Sequence, residues 1–539
     1  MRIAIGQINA HVGAIETNVS TMLRMLDEAR EIGCDLVAFP ELAVCGYSPM
    51  DLLWRDGFVD ACAAAVERVR CASEGLVVAV GGLGIERRHG PANRDNVSSL
   101  SDGALLDLYN RIYIFEDTKP LATVDKQHLP SYDIYCEERY FTPGEGTSVL
   151  DVGGRTLGVN VCEDLWIDDG PTDVQASLGA EWILNLSASP FYVGKPAIRH
   201  RLAGRRTKEN GVGLIYVNLV GGQDEVVFDG GSFAVDARGR CIFQAPYFRE
   251  GLFVVALDSA RPVKARRIPD VEDVRDALVL GIRDYVHKNG FQQVVLGLSG
   301  GIDSALVAAL AADALGPENV RCVFLPSEYS SPESLQDART VANALGSPWD
   351  ILSIAEAHDA LRKALPVRPN GLVDENLQPR IRGTLLMALA NQHHALVLCP
   401  GNKSEIAMGY NTLYGDTVGA LAPIADLYKN DVYRLAELYA AVIPESVRTK
   451  PPSAELRPEQ RDDQDLPPYG ALDPLLHQAL EGNASLEDLM RVDADVASEI
   501  VHRVRLNEYK RRQLPPGIKI TPKAFGFGRR MPLTNGYTG

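Results

Sequence analysis

Over residues 1–258, short apolar runs alternate with amphipathic stretches of helical period. RIAIGQI (2–8) reads as a strand. Val19, Met22, Leu23 and Leu26 then recur on one face of a helix. CDLVAFPEL (34–42) is a strand stopped by Pro40, and LVVAVGGLG (76–84) is another. TLGVNVCEDLW (156–166), WILNLSAS (182–189) and GVGLIYVNLVGG (211–222) follow with the same alternation. Many β-rich segments with few long helices predict a layered α/β sandwich.

The rhythm changes near residues 259–270, where two prolines and a small basic cluster mark a linker. Beyond it, helical and short apolar segments alternate: ALVLGIRDYVHKNG (277–290), QQVVLGL (292–298), SALVAALAADALG (304–316), VRCVFLPS (320–327), SLQDARTVANALG (334–346) and WDILSI (349–354). Strands spaced this way need crossover helices, hence a doubly wound parallel sheet over 271–539. DENLQPRIRG (374–383) is expected to precede a helix, and the Pro-rich stretch 448–470 to be a lid or an exposed connection.

Composition narrows the class without changing this outline. The 539 residues are 46% hydrophobic and 23% charged, as in a soluble globular chain of more than one domain. A net charge of −17 argues against a nucleic-acid binder, although 503–532 is locally basic and reads as a segment folding over a dinucleotide or pyrophosphate. No apolar run reaches the roughly 18 residues of a membrane span. Nine scattered cysteines without Cys-x-x-Cys suit reduced thiols, so a cytoplasmic protein is expected.

Candidate chemistry enters at LGLSGGIDSALVAAL (296–310), a strand, a glycine loop and a helix with no lysine closing the loop. Ser299, Gly300 and Gly301 let the backbone approach phosphate at a helix N-terminus, while Asp303 offers a carboxylate for Mg²⁺. A Walker loop places its lysine on the phosphates of a nucleotide whose γ-phosphoryl moves, so its absence points elsewhere. The full Ser-Gly-Gly-Ile-Asp-Ser resembles the ATP pyrophosphatase group, which adenylylates an oxygen and releases pyrophosphate. Glu405, after a strand and a Gly-Asn turn, is a second metal-ligand candidate, and Lys429 a partner for phosphate. Asn376, Arg380 and Arg382 are available for phosphate or carboxamide contacts.

In the first half, Glu41 follows a strand, Lys126 precedes a Pro-containing turn, and Cys162 ends an alternating strand. Cleaving a primary amide needs a nucleophile, a base and a positive group for the oxyanion. A thiol of pKa about 8.5 is mostly protonated at neutral pH, so the base is required. Cys45 competes as nucleophile but reads as packing. Together the three motifs resemble the nitrilase superfamily, which implies an α-β-β-α sandwich with a Glu, Lys and Cys catalytic triad. The resemblance also implies Tyr132, Ser189 and Lys195 for glutamine, and Glu137 as a second acid near the triad. Cys136 stands where relatives tend to carry Asp.

Across nearly the whole chain these motifs resemble the family of glutamine-dependent NAD synthetases, whose second domain has the adenine nucleotide alpha hydrolase-like fold. The resemblance implies that ATP and Mg²⁺ activate deamido-NAD and that ammonia from L-glutamine completes the amide. By this resemblance Gly297, Leu298, Ser299, Gly300, Gly301, Ile302, Asp303, Ser304 and Lys429 hold ATP. Asp303 and Glu405 hold the metal, and Asn376, Arg380, Glu405 and Lys510 lie near deamido-NAD. Pro400 stands where relatives commonly carry an ATP-contacting threonine. Homo-oligomers through the synthetase domain are expected, with no nucleic-acid or membrane partner. Two alternatives remain: a different adenylylated acceptor, as in GMP-synthetase-like enzymes, or an ammonia-dependent synthetase whose first half is a non-catalytic scaffold.

Overall fold

The computed structural model describes residues 1–88, 98–99, 105–265, 270–367 and 369–536. It divides into two compact units, Met1–Gln223 with Val227–Ile268 and Asp224–Val226 with Pro269–Gly539. Residues 266–269 of the expected linker lie outside the described residues.

In the first unit two sheets stack face to face. One runs Gly251–Ala256, Arg2–Gln7, Leu36–Ala38, Val77–Arg88, Leu105–Glu116 and Ser98–Ser99, with Lys119–Asp125 also paired to Leu105–Glu116. The other runs Cys241–Gln244, Phe233–Val235, Gly213–Asn218, Trp182–Ser187, Arg155–Val161 and Val149–Val152. Successive strand residues face opposite sides, so each sheet feeds two cores. Ile3, Ile5 and Leu36 meet Val159, Leu184 and Ile215 between the sheets. The alternate residues Ile183, Leu214 and Tyr216 pack outward against Leu202 and Ala203 of the helix Lys195–Asn210. Helices Ile15–Ile32 and Asp56–Cys71 cover the first sheet, completing an α-β-β-α sandwich. In Ile15–Ile32 the buried face is Val19, Met22, Met25 and Leu26; Leu23, expected on it, is half-buried at its edge.

The second unit holds four parallel strands in the order Trp349–Ile351, Val320–Phe324, Gln293–Gly297 and Ala395–Val397. From Gln293–Gly297 the chain steps outward twice, then returns to pair Ala395–Val397 on the opposite side. The reversal leaves a crevice at the carboxyl ends of Gln293–Gly297 and Ala395–Val397, the place where such sheets bind ligands. Ile302–Leu315 is apolar on nearly every side and almost wholly buried, as befits a central helix. Leu386 and Ala390 of Leu372–His393 pack against Val295, Val323 and Val397.

One expectation changes here. DENLQPRIRG does not precede a helix; it lies within Leu372–His393, and Pro379 sits inside that helix. A proline so placed forfeits one backbone hydrogen bond. Close packing compensates: a Cβ on Gly415 would come 2.8 Å from Pro379 Cβ. The basic 503–532 segment packs into its own unit. Lys510 donates to the carbonyls of Gly409 (2.7 Å) and Asn411 (2.8 Å), and Lys519 to those of Thr521 and Pro522. These two lysines thus bind backbone oxygens of turns in their own unit, while Arg511, Arg512 and Arg529 pair with Glu508. Among the described residues no helix is long and apolar enough to cross a membrane.

One glycine couples the first sheet to the segment bearing Glu41. A Cβ on Gly81 would lie 2.2 Å from the Pro40 carbonyl oxygen and 2.4 Å from the Leu42 nitrogen. Backbone cannot yield as a side-chain tip does, so Gly81→Ala is expected to destabilise the chain by about 1–3 kcal/mol. A lower midpoint in urea unfolding followed by tryptophan fluorescence checks this; an unchanged midpoint refutes the close approach.

Candidate functional site

In the first unit, Glu41, Lys126, Cys162 and Ser189 all sit just past the carboxyl ends of strands. Lys126 is fully buried, and its ammonium donates to Glu41 Oε1 and Glu137 Oε1, each at 2.7 Å. Glu41 is held further by Asn110 Nδ2 on Oε1 (2.6 Å) and by the Ala188 amide on Oε2 (2.7 Å). Tyr47 donates its hydroxyl to Glu137 Oε1 at 2.6 Å. Asn110 and Tyr47 carry no motif in the sequence; only pairing across the fold reveals them.

Cys162 opens a short 3₁₀ turn, Cys162–Leu165, directly after the strand Arg155–Val161, with φ of 41°. That left-handed bend in a non-glycine residue is strained backbone, the kind that clusters at functional sites. Burial pushes its thiol well above the ordinary range; Glu41 adds to this and Lys126 opposes it. Cys162, Glu41, Lys126 and Glu137 therefore feel one another's charge. Burial also opposes the Lys126 charge, but Glu137 and Glu41 outweigh it and keep the ammonium protonated. Burial lifts Glu137 to about 7 against the pull of Lys126. Cys45 is buried, its thiol directed to the backbone carbonyls of Leu42 and Gly46.

Around this centre, half-exposed Tyr132 donates its hydroxyl to Glu163 (2.9 and 3.1 Å). Ser189 is buried; Arg199 donates to its hydroxyl (3.1 Å) and carbonyl (2.8 Å) while pairing with both oxygens of Asp229 at 2.8 Å. Lys195 opens the helix Lys195–Asn210, its ammonium 4.2 Å from the centre of the Trp166 ring. Cys136 is exposed.

In the second unit, the crevice is a cavity of about 300 Å³ lined by Gly297, Leu298, Ser299, Gly301, Ile302, Asp303 and Ser304. Gly300 has φ of 82°, and a Cβ there would lie 2.3 Å from the Ser334 carbonyl, so only glycine fits. Ser304 Oγ accepts from the Ser299 amide (3.1 Å), and Ser299 Oγ from the Gly301 amide (3.2 Å), shaping the loop. Asp303 and Glu405 come from two helices that follow neighbouring strands. Asn402 caps the second helix and donates to Asp303 Oδ1 at 3.0 Å.

Lys429, expected to face phosphate, has its ammonium between these carboxylates, bonded to Asp303 Oδ2 and 3.4 Å from Glu405 Oε1. Burial drives Glu405 up to about 8 despite Lys429. Asn376 and Arg380, both on the helix Leu372–His393, and Lys510 converge on the 409–413 segment. Asn376 accepts from Thr412 Oγ1 (2.7 Å), and Arg380 donates to the Leu413 carbonyl (3.1 Å). Beside them Asp416, unsignalled by any motif, is lifted to about 6 by burial. Arg382 and Pro400 line the cavity, as do residues 450–456 of the Pro-rich stretch. Glu455 of that stretch accepts from Ser331 Oγ (2.9 Å) and Ser334 Oγ (2.6 Å).

Comparison with known proteins finds relatives of both units. The carbon-nitrogen hydrolase family model matches residues 2–267 and the NAD synthase model residues 274–515. A glutamine-dependent NAD(+) synthetase of Xanthomonas campestris pv. campestris is 41% identical over 100% of this chain and 98% of its own. One from Synechocystis sp. is 40% identical over 99% of both. Among solved structures, the glutamine-dependent NAD+ synthetase of Acinetobacter baumannii in complex with adenosine diphosphate aligns with a TM-score of 0.77 at 35% identity, covering 100% of this chain and 99% of that one. With hydrolase and synthase units in one polypeptide, and relatives this similar from end to end, the chain belongs to the family of glutamine-dependent NAD(+) synthetases.

Proposed function

We propose that the first unit releases ammonia from L-glutamine through Cys162, Glu41 and Lys126, and that the second uses it to amidate deamido-NAD activated by ATP. The observation that carries this reading is the buried Glu41–Lys126 pair beside Cys162, in the same chain as a phosphate-type loop lacking the Walker lysine.

With the thiol pKa raised by burial, Cys162 rests protonated. Glu41 therefore accepts the thiol proton as sulfur attacks the carboxamide carbon, and passes it to the departing ammonia. Lys126, kept charged by two carboxylates, offsets the developing oxyanion. Glu41 then draws a proton from water, which hydrolyses the thioester and releases glutamate. Ser189, Tyr132 and Lys195 are assigned to the amino-acid end of glutamine.

In the second unit, the Ser299–Gly301 loop and the N-terminus of Ile302–Leu315 are assigned to the phosphates of ATP. The carboxylate of deamido-NAD attacks the α-phosphorus, pyrophosphate departs, and ammonia displaces AMP to give NAD. Asn376, Arg380, Glu405 and Lys510 are assigned to deamido-NAD. The donor set fits Mg²⁺: Asp303 and Glu405 already share one cation, Lys429, and a Mg²⁺ site uses one or two carboxylates plus phosphate oxygens. Bound there, Mg²⁺ would neutralise pyrophosphate charge. Pro400 has no N–H or hydroxyl, so only its carbonyl and ring can meet nucleotide.

Supplied with deamido-NAD, ATP and glutamine, the protein is expected to form NAD, AMP, pyrophosphate and glutamate in equal amounts; ADP as product would overturn the adenylylation. Cys162→Ala is expected to cut glutamine-driven synthesis by roughly three orders of magnitude or more while ammonium-driven synthesis persists. Loss of both refutes two separate sites. Asp303→Asn is expected to lower synthesis from either nitrogen source by about 10²–10³-fold, and undiminished ammonium-driven synthesis would sink its assignment.

A further inference from the structure

Lys195 stands apart among the lysines of the first unit's site. Among the described residues its ammonium makes no ion pair and no hydrogen bond. Its neighbours are aromatic, the Trp166 ring at 4.2 Å and the Tyr192 ring at 5.3 Å. The nearest acid on the Cys162 turn, Glu163, has its carboxylate engaged by the Tyr132 hydroxyl. Trp166 is itself fixed. Its amide donates to the Glu163 carbonyl (2.8 Å), and its side chain packs on the cluster of Leu165, Leu202 and Ala203. The indole thus stands four residues beyond the nucleophile, at the end of the same short turn.

We propose that Trp166 is a positioning residue for glutamine, its indole holding the Lys195 ammonium unpaired so that the substrate α-carboxylate supplies the missing counter-ion. The inference rests on the assignment of Lys195 to the amino-acid end of glutamine. A ring face attracts a cation without neutralising it, so the site stays receptive to an anion. A protein carboxylate in that place would have to be displaced by the substrate.

The titratable and charged groups facing Lys195 are Arg199 on its own helix, Cys162 and Glu163 on the turn, and Asp133 on the 131–134 segment. Burial, then Arg199, brings Lys195 down to about 8, against the weaker pull of the other three. The ammonium is charged below about 8 and lost above it, so KM for glutamine rises as pH passes that value. Lys195→Arg, whose charge persists, flattens that rise.

The test compares steady-state kinetics of the full chain with glutamine and with ammonium. Trp166→Leu is expected to raise KM for glutamine about 2- to 30-fold, with kcat at saturating glutamine and ammonium-driven synthesis unchanged. Trp166→Phe, which keeps a ring, falls between it and the wild type and serves if the leucine variant folds poorly. Lys195→Met raises KM as well, and Trp166→Leu adds nothing in that background. If Lys195→Met raises KM and neither Trp166 variant does, the role of Trp166 is overturned and the glutamine assignment stands. If Lys195→Met leaves KM unchanged, that assignment fails and takes the proposal with it. An equal loss with glutamine and ammonium marks Trp166 as merely structural and also overturns it.

Discussion

A buried ammonium has no water to stabilise it, and this constraint organises both units. Lys126 lies between Glu41 and Glu137, Lys429 between Asp303 and Glu405, and Lys403 between Asp426 and Glu481. All three lysines are 0–1% exposed. One carboxylate neutralises each ammonium, and burial lifts the second toward its protonated form in two of the clusters, Glu137 to about 7 and Glu405 to about 8. Removing the lysine strands uncompensated buried negative charge, at a cost of about 3–5 kcal/mol. The clusters therefore act as rivets that tie segments far apart in sequence.

The surroundings of each cluster differ. Beside Cys162, Glu137 and Glu41 together keep Lys126 cationic. At the crevice Asp303 and Glu405 flank the Lys429 ammonium from two helices. At Lys403 the Thr521 hydroxyl (2.7 Å) and the Lys523 carbonyl (3.0 Å) complete the shell. That cluster has a mechanical part: Lys403 begins the short helix bearing Glu405 and ties it to Thr521 and Lys523. A buried charge cluster is thus a site or a brace according to what surrounds it.

Strand ends explain why the reactive groups collect where they do. Within a sheet each backbone donor and acceptor is paired, and at a strand's end the chain is released from that ladder. Side chains there are held by rigid structure yet face open space. Cys162, Ser189, Asp303 and Glu405 all follow parallel strands closely. Within the first unit Gly81 lets its strand approach the Pro40–Leu42 backbone, and within the second Gly300 lets its loop approach that of Ser334, at distances no Cβ permits.

The residues near each reactive group were legible because local chemistry writes them into short motifs. Strand, proline and acid marked Glu41; strand and thiol marked Cys162; strand, two glycines and an acid marked Asp303. The layered α/β character of the first unit and the parallel second sheet followed from apolar period and spacing; the paired sheets of the first unit followed from the resemblance. The hairpin of Leu105–Glu116 with Lys119–Asp125 did not, nor did the helix running through Pro379. In both, packing outweighs local preference. Nor did the sequence reveal Asn110 on Glu41, Tyr47 on Glu137, Asp416 beside Lys510, or the Lys429 ammonium between two carboxylates. Those partners stand 24 to 126 residues apart along the chain. The sequence by itself determined which groups have the chemistry. Which of them share a buried charge was decided only in the tertiary structure, because the cost of an unpaired ion is felt only once water has been excluded.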